Sequence, residues 1–403
     1  SRTSSRGRRM DSRLVLLLAV ATGVAVASNY YVQPLLPTIR HTFGAGAGAA
    51  GLIVTAAQIG YAAGLLFLLP LGDLLERRRL VVTMSLVTAL GLVGAAIVPS
   101  LDLLYVAAVL IGAGSVVGQI LVAFGASLAS DDERGKVVGT VMSGLFIGIL
   151  LARTAAGFLG ALLGWRAVYY VAGGLALVLA AVLRKALPRY RENLNISYPR
   201  VLVSVFAIFR EQPILRRRSL YGALSFAAFS ALWTSLAFLL AGSPYRYGSG
   251  TIGLFGLVGV AGAVMATVAG RLADRGLQAV MTIATSSAIL VSFVLLWVGQ
   301  NQLGVLLIAI VLLDLGCQGL HITNQSEIYQ LLPQARSRVN AGYMTSYFIG
   351  GTIGSVGSAL CYEAFGWHAV CGLGAGFGAV ALGLATGERR FGRRLAAASP
   401  AVA

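Results

Sequence analysis

Twelve apolar runs follow one another along the chain, and they constrain its fold more than any other feature. Each run is long enough for an α-helix to cross the hydrocarbon core of a bilayer, which takes about 20 residues. Only 11% of the 403 residues are charged, whereas a soluble domain carries about 25%. A soluble protein is therefore excluded. We predict membrane-spanning helices at residues 14–36, 49–71, 80–98, 101–126, 137–163, 167–183, 220–241, 251–269, 279–298, 303–329, 341–364 and 367–386.

Lys and Arg are concentrated in every second loop between these runs. The other loops contain only Arg40, Arg166 and Arg246. Because positively charged loops remain in the cytoplasm, both termini and the long central loop are predicted to be cytoplasmic. The predicted domains are a basic tail at 1–13, a six-helix bundle at 14–183, a central loop at 184–218, a second six-helix bundle at 219–386 and a cytoplasmic tail at 387–403.

An internal repeat relates the two predicted bundles. Gly164-Trp165 recurs 202 residues later as Gly366-Trp367, and the same offset matches Arg134 with Arg336. Parallel repeats of this kind place a binding site near the bilayer midplane. Glycine pairs at four-residue spacing, which let helix backbones approach closely, occur at Gly60/Gly64, Gly144/Gly148, Gly160/Gly164 and Gly350/Gly354.

Ionisable side chains are rare inside the predicted spans, and such residues are functional candidates because they are costly to place in a membrane. Asp314, Gln318, His321 and Gln325 share one face of the tenth helix, and Arg153 lies at a similar depth in the fifth. Buried carboxyl and imidazole groups can exchange protons near working pH. We predict that Asp314, His321 and Arg153 couple protons to a gate or substrate. The alternative is a fixed structural role for each.

Several short motifs resemble those of the major facilitator superfamily. Gly270–Arg275 resembles its loop motif Gly-x-Leu-Ala-Asp-Arg, and Leu71-Gly72-Asp73 followed by Arg77 resembles the first-half copy. Asn29–Leu36, Gly148–Arg153 and Asn324–Ser326 are similar to a bacterial branch of drug/proton antiporters. This resemblance implies an all-α membrane protein with the 12-helix facilitator fold, in which the first, fourth, seventh and tenth helices line a cavity. The gating residues that we predict are Asp73, Arg77, Asp274, Arg275, Arg134 and Arg336.

Amides, phenols and aromatic rings predominate among the residues predicted to line that cavity. Such a lining suits an uncharged or aromatic small molecule, although aromatic side chains that only pack helices remain the alternative. The predicted cavity residues are Asn29, Tyr30, Gln33, Gln119, Phe229, Trp233, Gln318, Gln325, Tyr343 and Tyr347.

Other classes of function lack their sequence signals. The net charge of +17 is divided among loops instead of forming a stripe, so we expect no nucleic-acid partner. The three cysteines and three histidines show no metal-ligand spacing, and no Gly-x-x-x-x-Gly-Lys motif occurs. We therefore expect no cofactor, no metal and no enzymatic activity.

We predict a monomeric secondary transporter in the bacterial cytoplasmic (inner) membrane, whose partners are a small-molecule substrate, protons and the lipid bilayer. It would export a drug or metabolite in exchange for protons by rocker-switch alternating access. The alternatives are proton-coupled or facilitated uptake and, more remotely, a membrane-embedded enzyme or sensor that uses Asp314 and His321.

Overall fold

The computed structural model describes residues 11–130, 133–191, 197–259, 276–332 and 336–398. These residues form fifteen α-helices, with π or 3-10 turns at Gln33–Leu35, Gly64–Leu68, Leu69–Asp73 and Phe255–Gly259. The helices are α1 Ser12–Ala27, α2 Leu36–Phe43, α3 Ala47–Ala63, α4 Arg77–Ile97, α5 Leu101–Ser115, α6 Val117–Leu128, α7 Arg134–Leu163, α8 Trp165–Ala186, α9 Tyr198–Glu211, α10 Pro213–Ala241, α11 Ser249–Leu254, α12 Gln278–Val298, α13 Leu303–Ile328, α14 Arg336–Phe365 and α15 Trp367–Ala398.

The helices confirm the prediction of an all-α membrane protein. Within the described ranges, nine helical segments are long and apolar enough to cross a bilayer, and Ser12–Ala27 and Ser249–Gly259 are shorter apolar helices. The 30-residue α14 covers the predicted eleventh span. The second part of the predicted eighth span, residues 260–269, lies outside the described residues. The count of twelve spans and the cytoplasmic termini stay predictions.

Two of the predicted spans end at different residues from those expected. The first helix ends at Ala27, not near residue 36, and a 3-10 turn at Gln33–Leu35 follows it. Pro34 has no backbone N–H and Pro37 follows three residues later, so one α-helix cannot continue through this stretch. The last helix continues twelve residues beyond its predicted end at 386, to Ala398.

The helix boundaries confirm the internal repeat. Helices α4 and α12 both have 21 residues and begin 201 positions apart, at Arg77 and Gln278. Helices α7 and α14 both have 30 residues and begin 202 positions apart. Gly164 and Gly366, which separate each of these helices from the next, have φ angles of 87° and 74°. Glycine occupies both turns because it adopts this left-handed region without strain.

The chain divides into two compact units. The first contains residues 1–44, 56–204 and 247–257, and the second contains residues 45–55, 205–246 and 258–403. The domain boundaries predicted from hydropathy and loop charge stay a prediction.

Glycine brings helix backbones together in each unit. In the first unit, a Cβ atom added at Gly144 or Gly148 of α7 would collide with the backbone of α1 at Ala19 or Gly23. In the second unit, Gly350 and Gly354 of α14 lie just as closely against the backbone of α10. This confirms the close approach predicted for these two glycine pairs, and it fixes the position of α7 and α14, which bear candidate functional residues.

We expect Gly148→Ala to lower the free energy of unfolding by about 1–3 kcal/mol, because the added methyl group meets backbone atoms that cannot rotate away. The matched control is Gly139→Ala on the same helix, where a Cβ atom would meet nothing within 4 Å. The control should stabilise the helix by about 0.5–1 kcal/mol. Unfolding of both variants in detergent measures the difference, and equal effects would contradict the close packing of α7 on α1.

Candidate functional site

In the first unit, buried Arg153 on α7 is held by two residues that follow α1. Its side chain is 3% exposed, and its Nε atom donates a hydrogen bond to Oε1 of Gln33. The guanidinium carbon lies 4.8 Å from the centroid of the Tyr30 ring. A buried cation requires such polar and π-face contacts to offset its loss of hydration. The structure thus brings together three of the predicted site residues.

A glycine-rich segment also packs against Arg153, and sequence analysis did not identify it as part of the site. A Cβ atom at Gly256 would lie 2.8 Å from Cβ of Arg153. Thr154 Oγ1 donates a hydrogen bond of 3.0 Å to the carbonyl of Gly253, and Ser249 Oγ donates one of 3.1 Å to the carbonyl of Gly157. The available signal was the spacing of Gly250, Gly253 and Gly256, which places glycine on one face of a helical turn.

Gln119 of α6 lies in a second polar contact of the first unit. Its Nε2 atom donates a hydrogen bond of 3.5 Å to Oη of Tyr61. Gln119 is half-buried, as is Asn29 beyond the end of α1, whereas Tyr61 is buried. Tyr61 was not among the predicted residues, because one phenol within an apolar run carries no distinguishing pattern.

In the second unit, aromatic side chains from α10, α13 and α14 form a continuous series of ring contacts, and Phe226, Trp233 and Tyr347 are buried. The Tyr347 and Phe226 rings are stacked with centroids 4.2 Å apart, and the centroids of Phe226 and Phe229 are 5.7 Å apart. Trp233 lies 6.0 Å from Phe229, and the His321 ring lies 4.6 Å from Tyr347. We call Phe226, Phe229, Trp233, His321 and Tyr347 the aromatic wall. Four of them are predicted site residues on three helices, and Phe226 lies about one turn before Phe229 on α10.

We call the four polar residues that share one face of α13 the polar stripe. They differ in how deeply they are buried. Asp314 is 3% exposed, whereas Gln318, His321 and Gln325 are half-buried. Next to Asp314, Cys317 donates a hydrogen bond of 3.4 Å from Sγ to the carbonyl of Ser225. The stripe therefore passes from a buried carboxyl group to an imidazole in the aromatic wall. The proton-coupling role predicted for Asp314, His321 and Arg153 stays a prediction.

A chain of polar contacts continues from His321 to buried Arg218. His321 Nδ1 lies 3.0 Å from Oη of Tyr343, to which Asn324 Nδ2 donates a hydrogen bond of 3.4 Å. Arg218 donates to Oδ1 of Asn324 at 3.4 Å and forms an ion pair with Glu327. Arg218 and Glu327 were not among the predicted residues. Arg218 ends a run of three arginines that resembles the basic residues of a loop.

Among the predicted gating residues, Arg77 is the one whose side-chain hydrogen bonds the structure describes. Its Nε atom donates to the carbonyl of Gly72 at 2.9 Å, and Nη1 donates to the carbonyl of Ala123 and to Oγ of Ser127. Arg77 thus links the start of α4 to the preceding turn and to α6. Asp274 and Arg275 lie outside the described residues, and so do the side chains of Asp73, Arg134 and Arg336.

Metal ligands do not cluster in the part of the chain that the structure describes. Among those residues, no group of three His, Cys, Asp or Glu side chains could hold a metal ion. Cys317 and Cys371 are buried and Cys361 is half-buried, each as a free thiol. The contacts around Arg153 and those of the aromatic wall include hydrogen bonds and aromatic contacts, and Arg153 and Asp314 are buried ionisable side chains.

The family model of the Major Facilitator Superfamily matches residues 18–333. The chain belongs to this superfamily. An uncharacterized transporter of Escherichia coli O157:H7, YgaY, is 52% identical over 91% of this chain and 93% of its own length. A chloramphenicol resistance protein of Streptomyces lividans is 30% identical over 66% of this chain and 68% of its own length. These relatives confirm the predicted family and identify the chain as a transporter.

Solved structures of transporters share the fold. The crystal structure of the nucleoside transporter NupG superposes with a TM-score of 0.74 at 15% identity, covering 93% of this chain and 99% of that one. Identity this low supports the major facilitator fold alone. The residues around Arg153 and the aromatic wall thus belong to a multi-pass membrane transporter.

Proposed function

We propose that this transporter exports a small organic compound, a drug or a metabolite, in exchange for protons across the cytoplasmic membrane of a bacterium. One observation carries the proposal. In the second unit, helix α13 bears a buried carboxyl group at Asp314 and, two turns later, an imidazole at His321 that is part of the aromatic wall. The proposed proton site and one member of the aromatic wall therefore lie on the same helix.

The chemistry of the wall favours an uncharged compound with an aromatic or flat apolar group. Aromatic rings bind such groups by stacking and edge contacts, and the imidazole of His321, whose Nδ1 is hydrogen-bonded to Oη of Tyr343 at 3.0 Å, adds a polar ring to the wall. The similarity to a chloramphenicol resistance protein supports a drug as the compound. Gln318 and Gln325 add half-buried amides on α13.

The burial of Asp314 supports its assignment as the proton carrier. It is the only carboxylate among the described side chains that is almost completely buried, with 3% exposure. Gaining or losing a proton there changes a charge that water does not screen, so the proton can bias one conformation over another. Asp314 lies seven residues before His321, which is about 10 Å along the helix. Coupling requires only that protonation and compound binding favour opposite states.

Roles in this transport are also proposed for Arg153 and for the predicted gating residues. Arg153, held by Gln33 and Tyr30, is proposed to respond to the charge of Asp314. Arg77, which is buried and bonded to two neighbouring segments, is proposed to act in the cytoplasmic gate. By the family resemblance, Asp73, Asp274, Arg275, Arg134 and Arg336 are proposed to act with it.

Internal pH in proteoliposomes tests this function directly. Neutral compounds, chloramphenicol first, are added outside vesicles that contain the full chain and a trapped pH dye. Exchange of an entering compound for an internal proton should make the interior more alkaline, and protein-free vesicles provide the control. Acidification would overturn exchange and favour proton-coupled uptake. Entry of the compound without a pH change would overturn proton coupling and favour facilitated transport.

A further inference from the structure

The first unit contains a pocket of about 750 Å³ that no step of the proposed transport uses. It is bordered by the π and 3-10 turns at Gly64–Leu68 and Leu69–Asp73, by α4, and by residues 189–191 beyond the end of α8. Its inner surface is apolar and includes Leu68, Leu71, Leu80, Met84 and Val87. A pocket of this size and character can hold an acyl chain or a similar apolar group.

The rim of the pocket is strongly basic. Arg79, Arg189 and Arg191 line it and are exposed. The acidic residue of the lining is Glu76, which lies 3.5 Å from Nε of Arg78 in an ion pair. Among the described side chains, the three rim arginines have no hydrogen-bond or ion-pair partner, so their guanidinium groups are available to an anion. Arginine is well suited to bind phosphate oxygens, often through two parallel hydrogen bonds.

The protein holds this rim in a defined position. The backbone N–H of Arg77 donates a hydrogen bond of 2.9 Å to the carbonyl of Tyr190, and the Arg77 guanidinium lies 5.2 Å from the Tyr190 ring centroid. Arg78 Nη1 donates to the carbonyl of Leu187 at 3.4 Å. Since Tyr190 stands between Arg189 and Arg191, both basic side chains are carried by a fixed segment of backbone.

An apolar strip leads away from the rim along α4. Arg79, Thr83, Leu86, Leu90 and Ile97 lie at positions i, i+4, i+7, i+11 and i+18, which place them on one helix face. Leu86, Leu90 and Ile97 are 47%, 67% and 61% exposed. A cation at one end of a continuous apolar face matches the shape of a phospholipid, whose phosphate is attached to long hydrocarbon chains.

We infer that this pocket binds one anionic phospholipid. Arg79, Arg189 and Arg191 contact its phosphate, and the apolar lining of the pocket receives the first part of an acyl chain. The part of the α4 strip nearest the rim, at Leu86 and Leu90, contacts the rest of the chain. Basic pockets between transmembrane helices on the cytoplasmic side are suited to such headgroups, and these arginines belong to loops that positive charge assigns to that side. The site is separate from the aromatic wall, so the inference does not depend on the proposed substrate.

Lipid titration of the purified full chain in nonionic detergent tests the site. The probes are dioctanoyl phosphatidylglycerol, which is anionic, dioctanoyl phosphatidylcholine, which is neutral overall, and inorganic phosphate. The first variant combines Arg79→Gln, Arg189→Gln and Arg191→Gln. Its matched control combines Arg184→Gln, Arg200→Gln and Arg210→Gln, which removes three exposed charges that do not line the pocket. A third variant, Thr83→Trp, fills the pocket without changing its charge.

We expect the rim variant to bind phosphatidylglycerol roughly 100-fold more weakly, since each basic residue near an anionic lipid surface contributes a factor of about five. The control variant should retain binding within a few-fold, and phosphatidylcholine should bind weakly to all variants. An equal loss of phosphatidylglycerol binding in the control variant would overturn the site, because the loss would then follow from the lower surface charge and not from the rim arginines. Displacement of the lipid by equimolar phosphate, or full lipid binding by Thr83→Trp, would also overturn the assignment, because the pocket would then recognise an anion without its acyl chain.

Discussion

Replacing Asp314 by Asn should reduce compound-driven proton flux to the level of protein-free vesicles. The amide of Asn has nearly the same shape as the carboxyl group, but it cannot bind and release a proton near neutral pH. Asp314 is 3% exposed, so its change of charge acts in a region of weak screening and has a large effect on conformation. The measurement is the internal pH of proteoliposomes after addition of the transported compound.

The control for this variant is Asp102→Asn, which removes an exposed carboxylate from the first turn of α5. It should leave proton flux unchanged. Binding of the compound to Asp314→Asn, measured separately by quenching of tryptophan fluorescence, should persist because the aromatic wall is intact. Native proton flux in Asp314→Asn would show that Asp314 is structural, and His321 would then be the remaining predicted carrier in the stripe.

Helical periodicity predicted much of the aromatic wall and of the polar stripe in the second unit, because residues that share a face of one helix tend to meet the same neighbours. The polar stripe of α13 and the spacing of Phe229 and Trp233 on α10 are properties of single helices, visible in the sequence. Which helices contribute to one surface is a property of packing. The stacking of Phe226 on Tyr347, which joins α10 to α14, could not be predicted from periodicity.

Burial of charge was harder to predict. Arg216, Arg217 and Arg218 form one run in the sequence, yet the Arg217 side chain is 40% exposed and that of Arg218 is 5% exposed. Consecutive helical residues point about 100° apart, so one member of such a run can enter the protein interior while its neighbour remains outside. Hydropathy averaged over the run assigns all three to a loop, and Arg218 was missed for that reason.

This difference in burial leads to the second large expected effect. Arg218→Gln should lower the free energy of unfolding by about 2–3 kcal/mol, because it breaks an ion pair with half-buried Glu327 and leaves the hydrogen-bond partners of a buried guanidinium unpaired. Arg218 pairs with Glu327, donates a hydrogen bond of 2.8 Å to Oγ1 of Thr282 and another of 3.4 Å to Oδ1 of Asn324. Its loss disrupts contacts among α10, α12 and α13. Unfolding of the purified protein in detergent provides the measurement.

Arg217→Gln is the matched control, because Arg217 lies 3.2 Å from the same Glu327 carboxylate but is 40% exposed. Solvent screens an exposed pair, so this variant should lose less than about 1 kcal/mol. The two substitutions remove the same charge from adjacent positions of one helix, but Arg218 is buried and hydrogen-bonded, whereas Arg217 is partly exposed and also lies 3.7 Å from Glu388. Equal destabilisation would mean that net charge near Glu327, and not the buried contacts of Arg218, stabilises this end of the second unit. A large effect confined to Arg218 would instead show that the buried polar contacts between His321 and Glu327 stabilise the folded protein.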